Sequence, residues 1–168
     1  MHVNRTSARL AAIAESATLA VDAKAKALTY VRGQLGTMAL HDRVVLLWTS
    51  SFMKDALTAE QRSAIADEVV SKQLEDGGFS SGGWGKGALA KTVAATSDGY
   101  ATAIAALALC TEASRKDSAY RALAWLAKNQ ADDGSWPGQS VNTKDAQNKL
   151  FMTDASTAYA VLALTCVR

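Results

Sequence analysis

Apolar positions along this chain fall into two kinds of segment, and the two kinds alternate. The first kind is two-faced. From about Thr6 to Arg32, Leu10, Ile13, Ala17, Val21, Leu28 and Val31 form one stripe against Arg9, Glu15, Asp22, Lys24 and Lys26, the spacing of an amphipathic helix. Thr6 or Ser7 is placed to cap it, and Gly33 and Gly36 to end it. Thr58-Ala59-Glu60-Gln61 has the form of a capping box and opens a second such helix, with Ile65, Val69, Val70 and Leu74 inward and a stop at Asp76-Gly77-Gly78. Asp117 to Gln130 predicts a third, with Leu123 and Leu126 set against Arg121 and Lys128. The second kind is apolar all round. It comprises a helix from near Leu40 carrying Val44, Val45, Leu46, Leu47, Trp48 and Phe52, another from Asp98 to about Glu112, and a last from Asp154 to about Cys166. Two irregular loops intervene, one rich in Gly up to about Thr96, the other from Ala131 to Met152.

Helices with one wet face alternating with helices that have none predict a two-layer array of hairpins. The all-apolar members form an inner layer, covered by the amphipathic ones on one side and facing an apolar cavity on the other. Internal repetition supports this. Gln73-Leu74-Glu75-Asp76-Gly77-Gly78-Phe79 returns as Gln130-Ala131-Asp132-Asp133-Gly134-Ser135-Trp136, 57 positions on (73 to 130). The Thr-Ala steps at Thr102 and Thr157 lie 55 apart (102 to 157). A period of this length is the signature of tandem two-helix units.

Composition narrows the picture further. The 168 residues are 49% apolar and 20% charged, with a single proline, Pro137, so an all-α class leads and one domain over 1–168 is expected. A net charge of +2 from scattered basic residues gives no case for nucleic acid. The longest apolar run, about Tyr100 to Cys110, is too short to span a bilayer. The first residues lack the basic-then-apolar order of a secretory signal. Cys110 and Cys166 close the two homologous apolar helices. They could face each other, but so sparse a pair reads first as two buried thiols.

Gln…Asp-Gly-x-Trp at the end of an outer helix resembles the QW repeat of squalene and oxidosqualene cyclases, and of the wider superfamily of terpenoid cyclases and protein prenyltransferase β-subunits. The two copies at Gln73 and Gln130 carry the likeness, with the Asp-x-x-Ala/Ser-Thr-Ala helix starts near Asp98 and Asp154. His41 to Trp48, and Ser140-Val141-Asn142 with Ser156 to Leu164, are similar to the C-terminal part of bacterial squalene-cyclase-like proteins, so the resemblance covers about residues 40 to 166. It implies an α/α toroid, whose full ring has about six hairpins. The three hairpins here would make roughly half of one. The chain would then be a fragment, or two copies would combine to close a ring.

The resemblance also bears on chemistry. Class II cyclases protonate their substrate with the middle Asp of an Asp-x-Asp-Asp-Thr-Ala motif, a task for a carboxylic acid kept neutral by its surroundings. Aligned on Thr-Ala, that Asp falls on Tyr100 in one copy and Ala155 in the other. Asp98 and Asp154 therefore remain weak catalytic candidates, better read as charges favouring helix N-termini capped by Ser97 and Thr153. The zinc ligands of prenyltransferases have no counterpart: His2 and His41 are the only histidines, neither beside an Asp-x-Cys, and His41 reads as a helix-start residue. No metal or cofactor is implied. The Gly-rich stretch Phe79 to Gly87 lacks the spacing of a nucleotide-binding loop.

Gln73, Asp76, Gly77 and Phe79, and their counterparts Gln130, Asp133, Gly134 and Trp136, are expected to tie adjacent outer helices together. Trp48, Phe52, Tyr100 and Tyr159, with Phe151, are candidates to line an apolar cavity, against the plainer reading as core. The expectation is a cyclase-like domain, non-catalytic in this chain, whose inner face binds an isoprenoid or lipid-like molecule. The alternative is an interaction module that meets a second copy, or the missing half of the ring, through the same face. An active terpene cyclase comes last.

Overall fold

The computed structural model describes residues 5–53, 55–85, 95–140 and 146–166, and of 5–19 and 146–149 the backbone alone. The regular structure among those residues is all helical, with no strand among them. In order they form α1 (Arg5–Gln34), a 3-10 turn (Leu35–Thr37), α2 (Leu40–Thr49), α3 (Ala59–Val70), α4 (Gly99–Cys110), a second 3-10 turn (Ala113–Arg115), α5 (Lys116–Lys128) and α6 (Ala146–Leu164). The chain divides into two compact units, Met1–Thr37 and Met38–Arg168.

The first unit is α1 and its 3-10 turn. Helix α1 is already helical at Arg5, so the expected caps Thr6 and Ser7 lie inside it. Val21 and Tyr30 stand exposed, which corrects the expected inward stripe at Val21.

The second unit is a two-layer array. Helix α4 packs against α2, α3, α5 and α6, α3 against α2, and α5 against α6. Everything from Gly99 to Leu109 except Tyr100 is buried. Five alanines in α4 let neighbouring backbones approach closely, while Ile104 and Leu109 each contribute about 2 kcal/mol by leaving water. At the top of α4 the approach is closer still. A Cβ on Gly99 would collide with the Ser156 hydroxyl and the Cβ of Trp136, so α6 and the second turn can seat here only against glycine.

Helices α3 and α5 form the outer layer. The capping box of α3 is complete: Gln61 N donates to Thr58 Oγ1 and Thr58 N to Gln61 Oε1. Its buried stripe is Ile65, Ala66 and Val69. Helix α5 buries Ala119, Ala122, Leu123 and Leu126 and leaves Arg121 and Lys128 exposed. Arg62 on α3 donates to Ser50 at the end of α2 and to Glu112 beyond α4 (2.8 and 2.5 Å), joining the layers at one end.

Four boundaries differ from expectation. Helix α2 ends at Thr49, so Phe52, expected on it, lies in the turn beyond. Helix α3 ends at Val70 rather than near Asp76, because Leu74 N donates to Gly78 O and is thereby committed to the turn. Asp98, not Ser97, caps α4: its carboxylate accepts from Ala101 N at 3.0 Å, while Ser97 Oγ donates to Asp76. Helix α6 begins at Ala146, so Thr153 and Asp154 are interior residues rather than a cap and a first-turn charge. The intervening Ala-Gln-Asn-Lys-Leu-Phe-Met is rich in helix formers.

The two cysteines are joined: Cys110 and Cys166 form a disulfide with Cα atoms 6.4 Å apart. This corrects the expectation of separate thiols. Equivalent positions in adjacent units sit side by side when their inner helices pack together, and α4 and α6 are the most closely associated pair in the unit.

Candidate functional site

Helices α2, α4 and α6 bring aromatic side chains together. Spacings of three and four place His41 and Trp48 on one face of α2, Tyr100, Leu107 and Cys110 on one face of α4, and Met152, Tyr159 and Leu162 along α6, with Cys166 in the turn just beyond it. The aromatic members form a continuous row. Tyr100 meets Tyr159 edge to face at 5.8 Å, Tyr159 meets Trp48 at 6.1 Å, and Trp48 meets Phe52 at 5.8 Å. The four expected cavity residues are thus brought together, each ring in the arrangement its quadrupole prefers.

A cavity lies at each end of this row. Near the N-terminal ends of α2 and α4, one of about 370 Å³ is lined by His41, Asp42, Ser81, Trp84, Tyr100, Phe151 and neighbouring residues. At the other end, a groove of about 290 Å³ is lined by Trp48, Phe52, Leu107, Leu162 and the disulfide. The first lies in the size range of ligand sites and combines apolar walls with a few converging polar groups.

Those polar groups form a chain. His41 Nδ1 lies 3.1 Å from Asp42 Oδ1, and His41 Nε2 lies 2.9 Å from the Tyr100 hydroxyl; the two rings stack at 5.8 Å. With the Asp42 carboxylate accepting from Nδ1–H, Nε2 is left to accept from Tyr100. Burial, reinforced by Tyr159 and then by the charges of Asp98 and Asp42, pushes the Tyr100 phenol up to about 12, so it is a hydrogen-bond donor across the physiological range. From sequence alone His41 reads as a plain helix-start residue. Its role here escaped because Tyr100 is 59 residues away; the one local signal was an Asp beside the only histidine within the repeats.

Asp98 stands behind the cavity wall. Its carboxylate accepts from Ser81 N (2.6 Å), Ser81 Oγ (3.0 Å) and Ala101 N, fastening the Gly-rich loop to the top of α4. Burial raises its pKa above the ordinary carboxylate value, and these hydrogen bonds oppose the shift. Asp154 is exposed, two turns into α6, and does not line either cavity.

The repeated turns match bond for bond. Gln73 Nε2 donates to Gly77 O and Gln130 Nε2 to Gly134 O, both at 2.8 Å. Asp76 Oδ1 accepts from Gly78 N and Asp133 Oδ1 from Ser135 N. Gly77 and Gly134 have φ of 88° and 85°, the left-handed region that favours glycine. Phe79 N then donates to Thr102 Oγ1 and Trp136 N to Thr157 Oγ1, so each turn is pinned to the next inner helix. Gln73 also reaches the start of α5, donating to Ser118 O and accepting from Ser118 Oγ and Arg121. Of these eight residues, Gln73, Asp76, Phe79 and Trp136 bond to neighbouring elements, and none lines either cavity.

No protein-family model, curated protein or solved structure matches this chain. Among the described residues no group of His, Cys, Asp or Glu could hold a metal ion, and no helix is long and apolar enough to cross a membrane.

Proposed function

We propose that this chain is a squalene/terpenoid-cyclase-like helical-repeat domain that binds an apolar, isoprenoid- or lipid-like molecule on the aromatic face of α2, α4 and α6 without transforming it. The observation that carries this reading is the unbroken Tyr100–Tyr159–Trp48–Phe52 row running from the larger cavity to the groove. A core aromatic cluster needs no cavity at either end. The lack of a proton donor supports a binding role. Tyr100 occupies the position that aligns with the cyclases' donor, and a phenol held near 12 is too weak an acid to protonate an alkene. The test is a titration of the protein with decanol and farnesol, followed by tryptophan fluorescence. The expected result is a saturable change that weakens about tenfold or more in Tyr159→Ala, which removes the middle ring of the row. Absence of saturable binding by either probe overturns the reading.

A second reading has its own observation. Phe52, Phe151, Val161, Leu162 and Leu164 are all exposed, more large apolar surface than a lone soluble chain ordinarily shows in one region. On that reading a second copy covers α6, and light scattering would show a dimer that Leu162→Lys dissociates.

A further inference from the structure

The larger cavity has an electrostatic character that selects among apolar ligands. Two helix N-termini open near it, those of α2 at Leu40 and α4 at Gly99, and each alone would favour an anion with about half a positive charge. Each is already answered by a full carboxylate. Asp42 stands in the first turn of α2 and lines the cavity. Asp98 caps α4 and holds Ser81, itself a lining residue, from behind. One unit of negative charge on Asp42 against half a unit of positive leaves the α2 end net negative, and at α4 the Asp98 side chain takes up the positive helix end.

Nothing described on the wall reverses that sign. The lining holds no Lys or Arg among the described residues. Arg43, next to Asp42, points its guanidinium at Glu68 of α3 and donates to it through both terminal nitrogens, Nη1 and Nη2. His41 is engaged at Nδ1 by Asp42 and at Nε2 by Tyr100. The rest of the wall includes Trp84, Tyr100 and Phe151, with Met152, and aromatic faces attract cations. The Tyr100 phenol is raised chiefly by burial and by Tyr159, and the smaller contributions of Asp98 and Asp42 carry the same sign.

We infer that this cavity seats the positively charged head of an organic amine, with Asp42 as its counter-ion and Trp84, Tyr100 and Phe151 around it, while the apolar tail runs along the aromatic row. The inference rests on the apolar-ligand reading above and narrows it to a ligand class. It excludes prenyl diphosphates and fatty-acid anions as preferred occupants, since their charge would face Asp42 across a part-dry wall.

The test compares three probes of equal tail length, decylamine, decanol and decanoate, by calorimetry near neutral pH, where the amine is protonated and the acid ionised. Decylamine should bind about fivefold more tightly than decanol, because a half-exposed ion pair and a cation–π contact are each modest, and decanoate more weakly than both. The amine-to-alcohol ratio should fall toward one in Asp42→Asn and be kept in Asp42→Glu, with circular dichroism confirming that both variants fold. Equal affinity for all three probes, a preference for decanoate, or a ratio unmoved by Asp42→Asn overturns the inference while leaving apolar binding in place. Failure of all three to bind removes the apolar-ligand reading and this inference together.

Discussion

Tyr100 and Asp98 are two residues apart and do different work. Asp98 has the burial and raised pKa of a catalytic acid, yet its oxygens are spent on Ser81 and on the first turn of α4. Replacing it with Ala strands three donors. Asp98→Ala should therefore cost about 2–4 kcal/mol of stability, read from urea midpoints; a midpoint within experimental error of the parent would refute the structural role. Tyr100 is the group that faces the cavity. Its folded-state pKa of about 12 exceeds the ordinary value of 10.0, so the folded state holds this proton more tightly. The stability contributed is present below about pH 10 and lost as pH rises toward 12. Tyrosinate absorbance should show one phenol ionising last, and Tyr100→Phe should delete that step.

At the scale of elements, the capping box of α3 was legible because its signal lies within four consecutive residues, and burial of α4 because a helix without a polar face has nowhere else to go. Asp98 against Ser97 as cap was not legible: both are good N-caps in adjacent positions, and only the loop folding back at Ser81 decides between them. Thr153-Asp154 misled for a similar reason, since helix formers upstream carry α6 past a plausible start. The two Asp-Gly turns were legible as a repeat, and they differ in one testable way. A Cβ at Gly134 meets nothing nearer than Gln130 Nε2 at 3.8 Å, whereas at Gly77 it meets Arg121 O at 3.0 Å and Arg121 Cβ at 3.3 Å. Gly134→Ala should cost about 1–2 kcal/mol for the positive φ alone, and Gly77→Ala clearly more. Equal losses by thermal melting would show that α5 yields freely.

For the molecule as a whole, the disulfide fastens α4 to α6 across a sequence separation of 56 residues. On the chain-entropy account, closing a loop of that length is worth about 4 kcal/mol, so reductant should lower the urea midpoint of the parent and leave Cys110→Ser/Cys166→Ser unmoved. The pairing was the least visible feature of the sequence, because two equivalent positions become neighbours only once the units stack. The aromatic face was visible as residues but not as a surface. Periodicity placed Trp48, Tyr100 and Tyr159 on inner helices, while their contact and the cavities beside it depend on how α2, α4 and α6 pack.

The four tryptophans offer the most direct test that this face is a binding surface. Trp48 belongs to the aromatic row and Trp84 lines the larger cavity, whereas the Trp125 indole is bound to Asp76 on the outer layer and Trp136 to Leu126 O within the core. In a ¹⁵N-labelled sample titrated with decylamine, the indole N–H signals of Trp48 and Trp84 should move together and saturate while that of Trp125 stays in place. Movement confined to Trp125, or drift of all four without saturation, would contradict the account.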